Sequence, residues 1–309
     1  MKLFGICGPT ASGKTSLAIE ICERLKGEVI SADSMQLYSG MDILSAKPSD
    51  EELHRVPHHL IAIADPATKF NASEFRKYAD AAIRDVEARH KLPLLCGGTG
   101  LYIDALTKGI RMSEAADEGL REQLKKIANE VNGPEKLHAM LASKDPEAAK
   151  KYPAADTRRV IRSIEMFELT GKTRLEQEAE DALIPDRYDA RLFALDWDRQ
   201  ELYKRCDMRV DEMLRMGLID EVKALMTRPQ EVQETAAQAI GYKEMVRALT
   251  GDISISQAIE DIKLATRHLA KRQLTWFRRD KRVIWLKPSA SNVQIICDYI
   301  RKENDDDIK

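Results

Sequence analysis

Gly8, Pro9, Thr10, Ala11, Ser12, Gly13, Lys14 and Thr15 have the types and spacing of a loop that wraps phosphates. Gly8, Thr10, Ala11, Ser12 and Gly13 would turn successive backbone N–H groups into one concavity. Lys14 would reach the outer phosphates, and the Thr15 hydroxyl would be placed to ligate Mg²⁺. An apolar run at residues 3–7 precedes the loop and a helix-like run at 16–25 follows it, so a helix N-terminus adds its own attraction for an anion. A di- or triphosphate is the expected ligand class. Asp33 and Ser34 come at the end of the next strand-like run, where a carboxylate could contact a nucleophile aimed at the bound phosphate. On spacing alone, an N-cap role for Asp33 is equally open.

These groups need a scaffold that brings them together. Strand-like runs at 3–7, 28–32 and 92–96 alternate with helical runs at 16–25 and 72–90, the rhythm of a parallel α/β sheet. Such sheets bind ligands at the carboxyl ends of their strands, so the loop, Asp33-Ser34 and Gly97-Gly98-Thr99 should face one crevice. From 115 to 185 the strand signal disappears and the text is charged, helix-permissive and broken at Gly133-Pro134, Asp145-Pro146, Tyr152-Pro153 and Gly171. A strand at 191–197, helices at 199–216, 222–226 and 256–279, a strand at 283–286 and a helix at 292–301 then restore the core. The expected fold is α/β: a P-loop-containing parallel sheet flanked by helices, with its core at 1–114 and 186–309 and a helical insertion domain at 115–185.

At 309 residues and 43% hydrophobic content the chain can fill a sizeable core. No apolar stretch approaches the ~20 residues of a membrane helix, and the first strand starts at once, so a cytoplasmic protein without signal peptide or membrane association is expected. Cys7, Cys22, Cys96, Cys206 and Cys297 are scattered without paired spacing, which points to neither disulfides nor zinc. A net charge of -2 argues against a protein that coats nucleic acid, but between Arg267 and Arg282 seven Lys/Arg residues face one acid, Asp280. An acidic run, 305–307, lies close to the end of the sequence. A basic stripe on a near-neutral protein suits a single polyanion.

A phosphate loop alone leaves kinases, ATPases and GTPases open. The run 92–96 ends in Gly97-Gly98-Thr99 where an ATPase would place its metal-binding acid, and no GTPase specificity motif is visible, which disfavours a motor or switch.

The longer words are more specific. Gly-Pro-Thr-Ala-Ser-Gly-Lys-Thr at 8–15 is followed by Ser-Ala-Asp-Ser-Met-Gln-Leu-Tyr at 31–38, Ala-Lys-Pro at 46–48 and Pro-His-His-Leu at 57–60. Gly-Gly-Thr-Gly-Leu-Tyr at 97–102, Ala-Ile-Gly-Tyr-Lys-Glu at 239–244 and Ala-Lys-Arg-Gln-Leu-Thr-Trp-Phe-Arg at 270–278 continue the series. In this order, over nearly the whole chain, they resemble the bacterial-type tRNA dimethylallyltransferases, which prenylate the exocyclic amine of the adenine 3′ of the anticodon.

The resemblance implies that the loop holds the diphosphate of dimethylallyl diphosphate rather than the tail of ATP. Lys14, the loop amides and Mg²⁺ held partly by Thr15 would stabilise charge growing on the leaving group. Asp33 matches the family's general base and Thr99 a neighbour within the same site; Asp33, Ser34, Met35, Gln36 and Thr99 match the segment against the target nucleotide. Gln36 suits base edges because its amide both donates and accepts, whereas Met35 is equally at home as core packing. Lys271, Arg272, Gln273, Thr275, Trp276 and Arg278 match the RNA-contacting stretch, with Arg267, Lys271, Thr275 and Arg278 on one helical face. Arg158, Arg159 and Arg162 in the insertion match a second contact segment, Arg121 a third, and Gln238, Gly241, Tyr242 and Lys243 a fourth. The insertion would thus contact the anticodon stem-loop. Arg205 and Arg209 lie one turn apart, and Arg209 is the candidate to close over the diphosphate; pairing of such arginines with Asp198 or Glu201 is the alternative. A monomer acting on tRNA is expected.

This chain has Leu44-Ser45 where Gly-Thr is expected before Ala46, so a turn there is altered, and it lacks the zinc appendage of eukaryotic relatives. Three other readings are an adenylate isopentenyltransferase acting on free nucleotide, a P-loop small-molecule kinase and a non-enzymatic RNA-binding protein. The basic stripe disfavours the first two, and the Asp33/Thr99 pair at the loop disfavours the third.

Overall fold

The computed structural model describes residues 2–111 and 118–306. They divide into two compact units, residues 1–107 with 187–309, and residues 108–186. The insertion start expected at residue 115 and the last residue of the acidic run, Asp307, lie outside the described residues.

The first unit is built on six parallel strands: β1 (Lys2–Cys7), β2 (Gly27–Ser31), β3 (His58–His59), β4 (Leu92–Gly97), β5 (Asp189–Leu195) and β6 (Val283–Leu286). Their order is β3-β2-β4-β1-β5-β6, so β1 runs down the middle with Phe4 between Leu94 and Arg191. The parallel α/β sheet expected from the sequence is therefore what this unit forms. Helices α1 (Lys14–Leu25), α2 (Asp50–Arg55), α3 (Ala72–Ala88) and α4 (Gly100–Thr107) accompany the first four strands. In the second unit are α5 (Glu118–Ala128), α6 (Gly133–Lys144), α7 (Pro146–Lys151), α8 (Thr157–Thr170) and α9 (Arg174–Asp181). The first unit resumes with α10 (Arg199–Arg215), α11 (Leu218–Met226), α12 (Tyr242–Leu249), α13 (Ile255–Arg279) and α14 (Asn292–Asp306).

Side chains alternate across a strand, so each strand feeds two cores. Leu3 and Cys7 of β1 join Ile30, Leu95 and Leu192 on one face, under Phe75, Tyr102, Val210 and Phe277. Phe4 and Ile6 join Val29, Leu94 and Phe193 on the other, under Leu17, Ile21, Ile296 and Ile300. Burial on both faces is why these strands read as unbroken apolar runs. The second unit has its own core of Leu124, Leu137, Leu141, Tyr152, Val160 and Ile164. There the buried Asp145 carboxylate accepts from Ala148 N at 2.9 Å and Arg174 N at 2.7 Å, tying α7 to α9.

Four elements escaped the sequence reading. β3 is too short to show a period, and α2 has no buried residue to give it an apolar stripe. In α4 all but Leu101 are buried, so no polar face marks it as a helix. α12 is a short helix behind a loop, opened by Gly241. The strand expected at 191–197 begins and ends two residues earlier, which places Asp196 and Trp197 beyond its carboxyl end.

Candidate active site

The loop between β1 and α1 has the backbone its sequence demands: Gly8 at φ 134, Ala11 at φ 61 and Gly13 at φ 88. A left-handed alanine is strained by roughly 1–2 kcal/mol and persists only when its surroundings hold it. Three distant side chains do so. Arg205 Nε donates to Ala11 O at 2.8 Å, Trp197 Nε1 donates to Ser12 O at 2.9 Å, and Gln273 Oε1 accepts from Thr10 N at 2.8 Å. The first two grip the loop by its carbonyls, and the amides of residues 11–13 have no partner among the described residues. Helix α1 starts on Gly13 with no side-chain cap and no acid in its first turn, so its first N–H groups have no helical partner and suit an anion. Ser12 Oγ is buried without a hydrogen-bond partner, the signature of a polar group awaiting a ligand.

Two cations and one carboxylate converge there. Burial pushes Lys14 below the usual lysine value, and the charge of Asp33 opposes that shift. Arg209, on α10, is likewise pushed down by burial and supported by Asp33. None of the three has an ion pair among the described residues; Lys14 Nζ donates only to Pro9 O, at 3.3 Å. Arg205 takes neither Asp198 nor Glu201 as partner. It stacks over Trp197 at 4.3 Å while holding Ala11, whereas Asp198 caps α10. The two arginines one turn apart thus have separate tasks: Arg205 braces the loop and Arg209 adds charge to the site. The hydroxyl of the half-buried Thr15 has no hydrogen-bond partner among the described residues. The five cysteines are buried free thiols, and burial pushes Cys96, whose Sγ meets Lys14 O, up to about 12. It is no nucleophile at neutral pH.

Asp33 is delivered by the close meeting of β2 and β4. Ala32 N donates to Cys96 O at 2.8 Å and Thr99 N donates to Ala32 O at 3.1 Å. A Cβ on Gly97 would lie 2.2 Å from Ala32 O, so only glycine permits this approach. Thr99 Oγ1 accepts from Ser34 N at 3.0 Å and donates to Ser34 Oγ at 3.3 Å; Asp33 Oδ1 accepts from Met35 N at 3.0 Å. The Asp33 carboxylate is therefore oriented through one oxygen while the other has no partner among the described residues.

The remaining sequence candidates separate into engaged and unengaged groups. Met35 packs against the core. Gln36 turns its amide inward, accepting from Ser31 Oγ at 2.9 Å and donating to Ala46 O at 3.2 Å, so it bolts a turn. In the altered stretch, Ser45 Oγ donates to Met41 O at 2.6 Å, and Glu221 accepts from the backbone N–H groups of Asp42, Ile43 and Leu44, each at 2.8 Å. Gln238 lies in a short 3₁₀ turn; Gly241 opens α12, its N–H donating to Glu244 at 3.0 Å; Tyr242 and the exposed Lys243 follow.

The basic face of α13 is not uniform. Arg267 pairs with Asp207 at 2.8 Å, and Arg278 with Asp196 at 3.0 Å while lying over Trp285. Thr275 Oγ1 donates to its own helix, Gln273 braces the loop, and Trp276 Nε1 donates to Asp104 at 3.2 Å. Lys271 and Arg272 are exposed, with no partner among the described residues. In the second unit Arg121 and Arg162 share Glu165, at 2.8 and 3.3 Å, and Arg159 pairs with Asp156; Arg158 is exposed beside it on α8. Trp197, Arg205 and Glu221 are supports that no local motif announced.

Residues 36–280 match the family described as IPP transferase, and residues 1–64 match the one described as isopentenyl transferase. The chain is 43% identical over 286 residues to a tRNA dimethylallyltransferase of Geobacter metallireducens, covering 93% of this chain and 92% of that one. It is 43% identical over 300 residues to tRNA dimethylallyltransferase 2 of Geotalea daltonii, covering 97% and 91%. Among solved structures, the tRNA isopentenylpyrophosphate transferase of Bacillus halodurans aligns with TM-score 0.73 and 39% identity over 99% of this chain and 97% of that one. A eukaryotic dimethylallyltransferase captured acting on tRNA aligns with TM-score 0.76 and 30% identity over 93% and 73%. With its anion loop, carboxylate and sheet in place across that whole length, the chain belongs to the IPP transferase family.

Proposed function

We propose that the protein transfers a dimethylallyl group from dimethylallyl diphosphate to the exocyclic amine of the adenine 3′ of the anticodon in tRNA, releasing diphosphate. One observation carries this reading: an anion cradle with two unpaired cations, Lys14 and Arg209, stands beside a carboxylate, Asp33, that has an oxygen to spare. The adenine amine lone pair forms the new C–N bond, the allylic C–O bond breaks, and its electron pair leaves with the diphosphate. Lys14, Arg209 and the loop amides stabilise that growing negative charge. Asp33 takes the proton that the amine must lose, a contribution of typically ~10²–10⁴-fold, and Thr99 fixes the backbone that carries Asp33.

The unpartnered Thr15 hydroxyl suits Mg²⁺, which binds through few protein oxygens and keeps phosphate and water for the rest. When bound, the ion neutralises charge on the leaving diphosphate. For tRNA as acceptor, the support is the acceptor printed in the relatives' names together with the exposed, unpartnered Lys271 and Arg272. Arg158 and its neighbours on α8 would meet the phosphates of the anticodon stem-loop, and the target adenine would be turned out of its stack to reach Asp33. Among the described residues no helix is long and apolar enough to cross a membrane.

The test is incubation with dimethylallyl diphosphate, Mg²⁺ and either unmodified tRNA or AMP, followed by mass spectrometry of the nucleosides. Prenylated adenosine from tRNA alone is expected; prenylated AMP, or phosphate transfer from ATP without prenylation, would overturn the proposal.

A further inference from the structure

Gln273 sits on α13 beside Lys271 and Arg272, yet its amide is turned into the protein. Oε1 accepts from Thr10 N at 2.8 Å and Nε2 donates to Gly98 O at 2.9 Å. Thr10 belongs to the anion loop. Gly98 immediately precedes Thr99, whose Oγ1 orients Ser34 and through it the backbone of Asp33. One amide therefore joins the two halves of the site, the grip and the base.

The sheet cannot make this link itself. β1 and β4 are paired as far as Cys7 opposite Gly97, and the ladder ends there, before the loop and the turn that leads to α4. The Gln273 amide supplies one acceptor and one donor, as a peptide unit would, and so extends the connection past the last strand pair. Its own position is fixed by Trp276, one turn further along α13, which bonds Asp104 of α4.

We infer that Gln273 is a positioning residue for the transfer reaction, a strut that sets the diphosphate loop against the Asp33–Thr99 turn and contacts neither substrate. This rests on the diphosphate reading of the loop. Transfer needs the allylic carbon held within reach of both the base and the nucleophile, and a misplacement of about 1 Å costs on the order of 10²-fold. Thr10 N–H, held by Gln273, does not point at a phosphate.

Gln273→Met keeps the length of the side chain and removes both hydrogen bonds. In the protein without tRNA, its affinity for inorganic pyrophosphate with Mg²⁺, read by calorimetry, is expected to fall about tenfold. Its single-turnover prenylation rate at saturating substrates should fall on the order of 10²-fold, with tRNA affinity unchanged. Gly98→Ala strikes the strut from its other end, because the new Cβ would lie 2.4 Å from Gln273 Nε2; it should show the same pattern, and retained tRNA binding certifies the fold of either variant. Unchanged pyrophosphate affinity and rate in both variants would overturn the strut, as would weaker tRNA binding with normal pyrophosphate binding, which would make Gln273 an RNA contact. Failure of the unsubstituted protein to bind pyrophosphate would instead overturn the diphosphate reading, and the strut with it.

Discussion

Strand β2 carries a carboxylate at each end, and the two are treated oppositely. At its amino end Glu28, with 2% of its side chain exposed, accepts from Arg89 at 2.7 Å, Lys91 at 2.7 Å and His59 at 2.7 Å. Just past its carboxyl end Asp33 uses one oxygen on Met35 N and leaves the other open. The helix starts show a separate contrast: α2 and α3 begin with reciprocal caps from Ser49 and Glu52, and from Asn71 and Glu74, whereas α1, at the loop after β1, begins on Gly13 with no side-chain cap. Saturated polar groups lock the sheet at one end; unsaturated ones at the other end wait for a ligand. Removing a group should therefore change chemistry at one end and stability at the other.

The largest effect is expected at Asp33. Asp33→Asn keeps the shape and the bond to Met35 N but cannot take a proton, so turnover should drop by ~10²–10⁴-fold with tRNA binding nearly unchanged, while the melting temperature falls modestly because the charges of Lys14 and Arg209 lose the support of Asp33. Near-normal turnover would remove Asp33 from the reaction. Arg209→Met comes next: loss of one cation aimed at the leaving group should lower kcat/KM by about 10²-fold. Because Arg209 is half-buried with no ion pair among the described residues, and its charge also disfavours that of Lys14, the same change should raise the melting temperature of the ligand-free protein. A variant that lost both activity and stability would show that Arg209 is structural.

At the other end, Glu28→Gln should leave kcat unchanged and cost about 2 kcal/mol of stability, less than a fully buried pair because Arg89 and Lys91 reach water. The Arg89 guanidinium, with Lys91 and His59, holds the Glu28 carboxyl well below the usual carboxylate range despite its burial. A carboxyl depressed in the folded state stabilises above its unfolded value, about 4.3, and loses that contribution as pH falls below it. Melts of the two proteins should thus converge on acidification; a constant gap down to pH 2 would mean that the Glu28 charge is not what stabilises.

The turns of the loop at residues 8–15 were legible because they are local: its glycines stand where the backbone takes positive φ. The central strands were legible because burial on both faces leaves an unbroken apolar run. What braces the loop was not, since Trp197, Arg205 and Gln273 stand 185, 194 and 263 residues from the atoms they hold. A side chain's suitability for a base edge, as at Gln36, says nothing of whether the fold has already claimed it. The basic stripe was legible as a count of charges but not as a pattern, because the acids that pair with Arg267 and Arg278 come from elsewhere in the chain.

That stripe gives the smallest and most discriminating test, since engaged and open groups share one helix. Binding of tRNA releases roughly 0.7–0.9 counterions per phosphate neutralised, so each Lys or Arg that meets a phosphate adds about that much to the slope of log K against log salt. Lys271 and Arg272 have no competing acid among the described residues, and replacing both by Gln should flatten the slope by between about 1 and 2. Arg267 already faces Asp207 through two bonds, of 2.9 and 2.8 Å, so Arg267→Gln should leave the slope as it is while loosening α13 from α10. If Arg267 moved the slope as much as Lys271 and Arg272, the ion pair would have to open for RNA. The rule that unpaired groups mark the site would then fail on the helix where it is most easily checked.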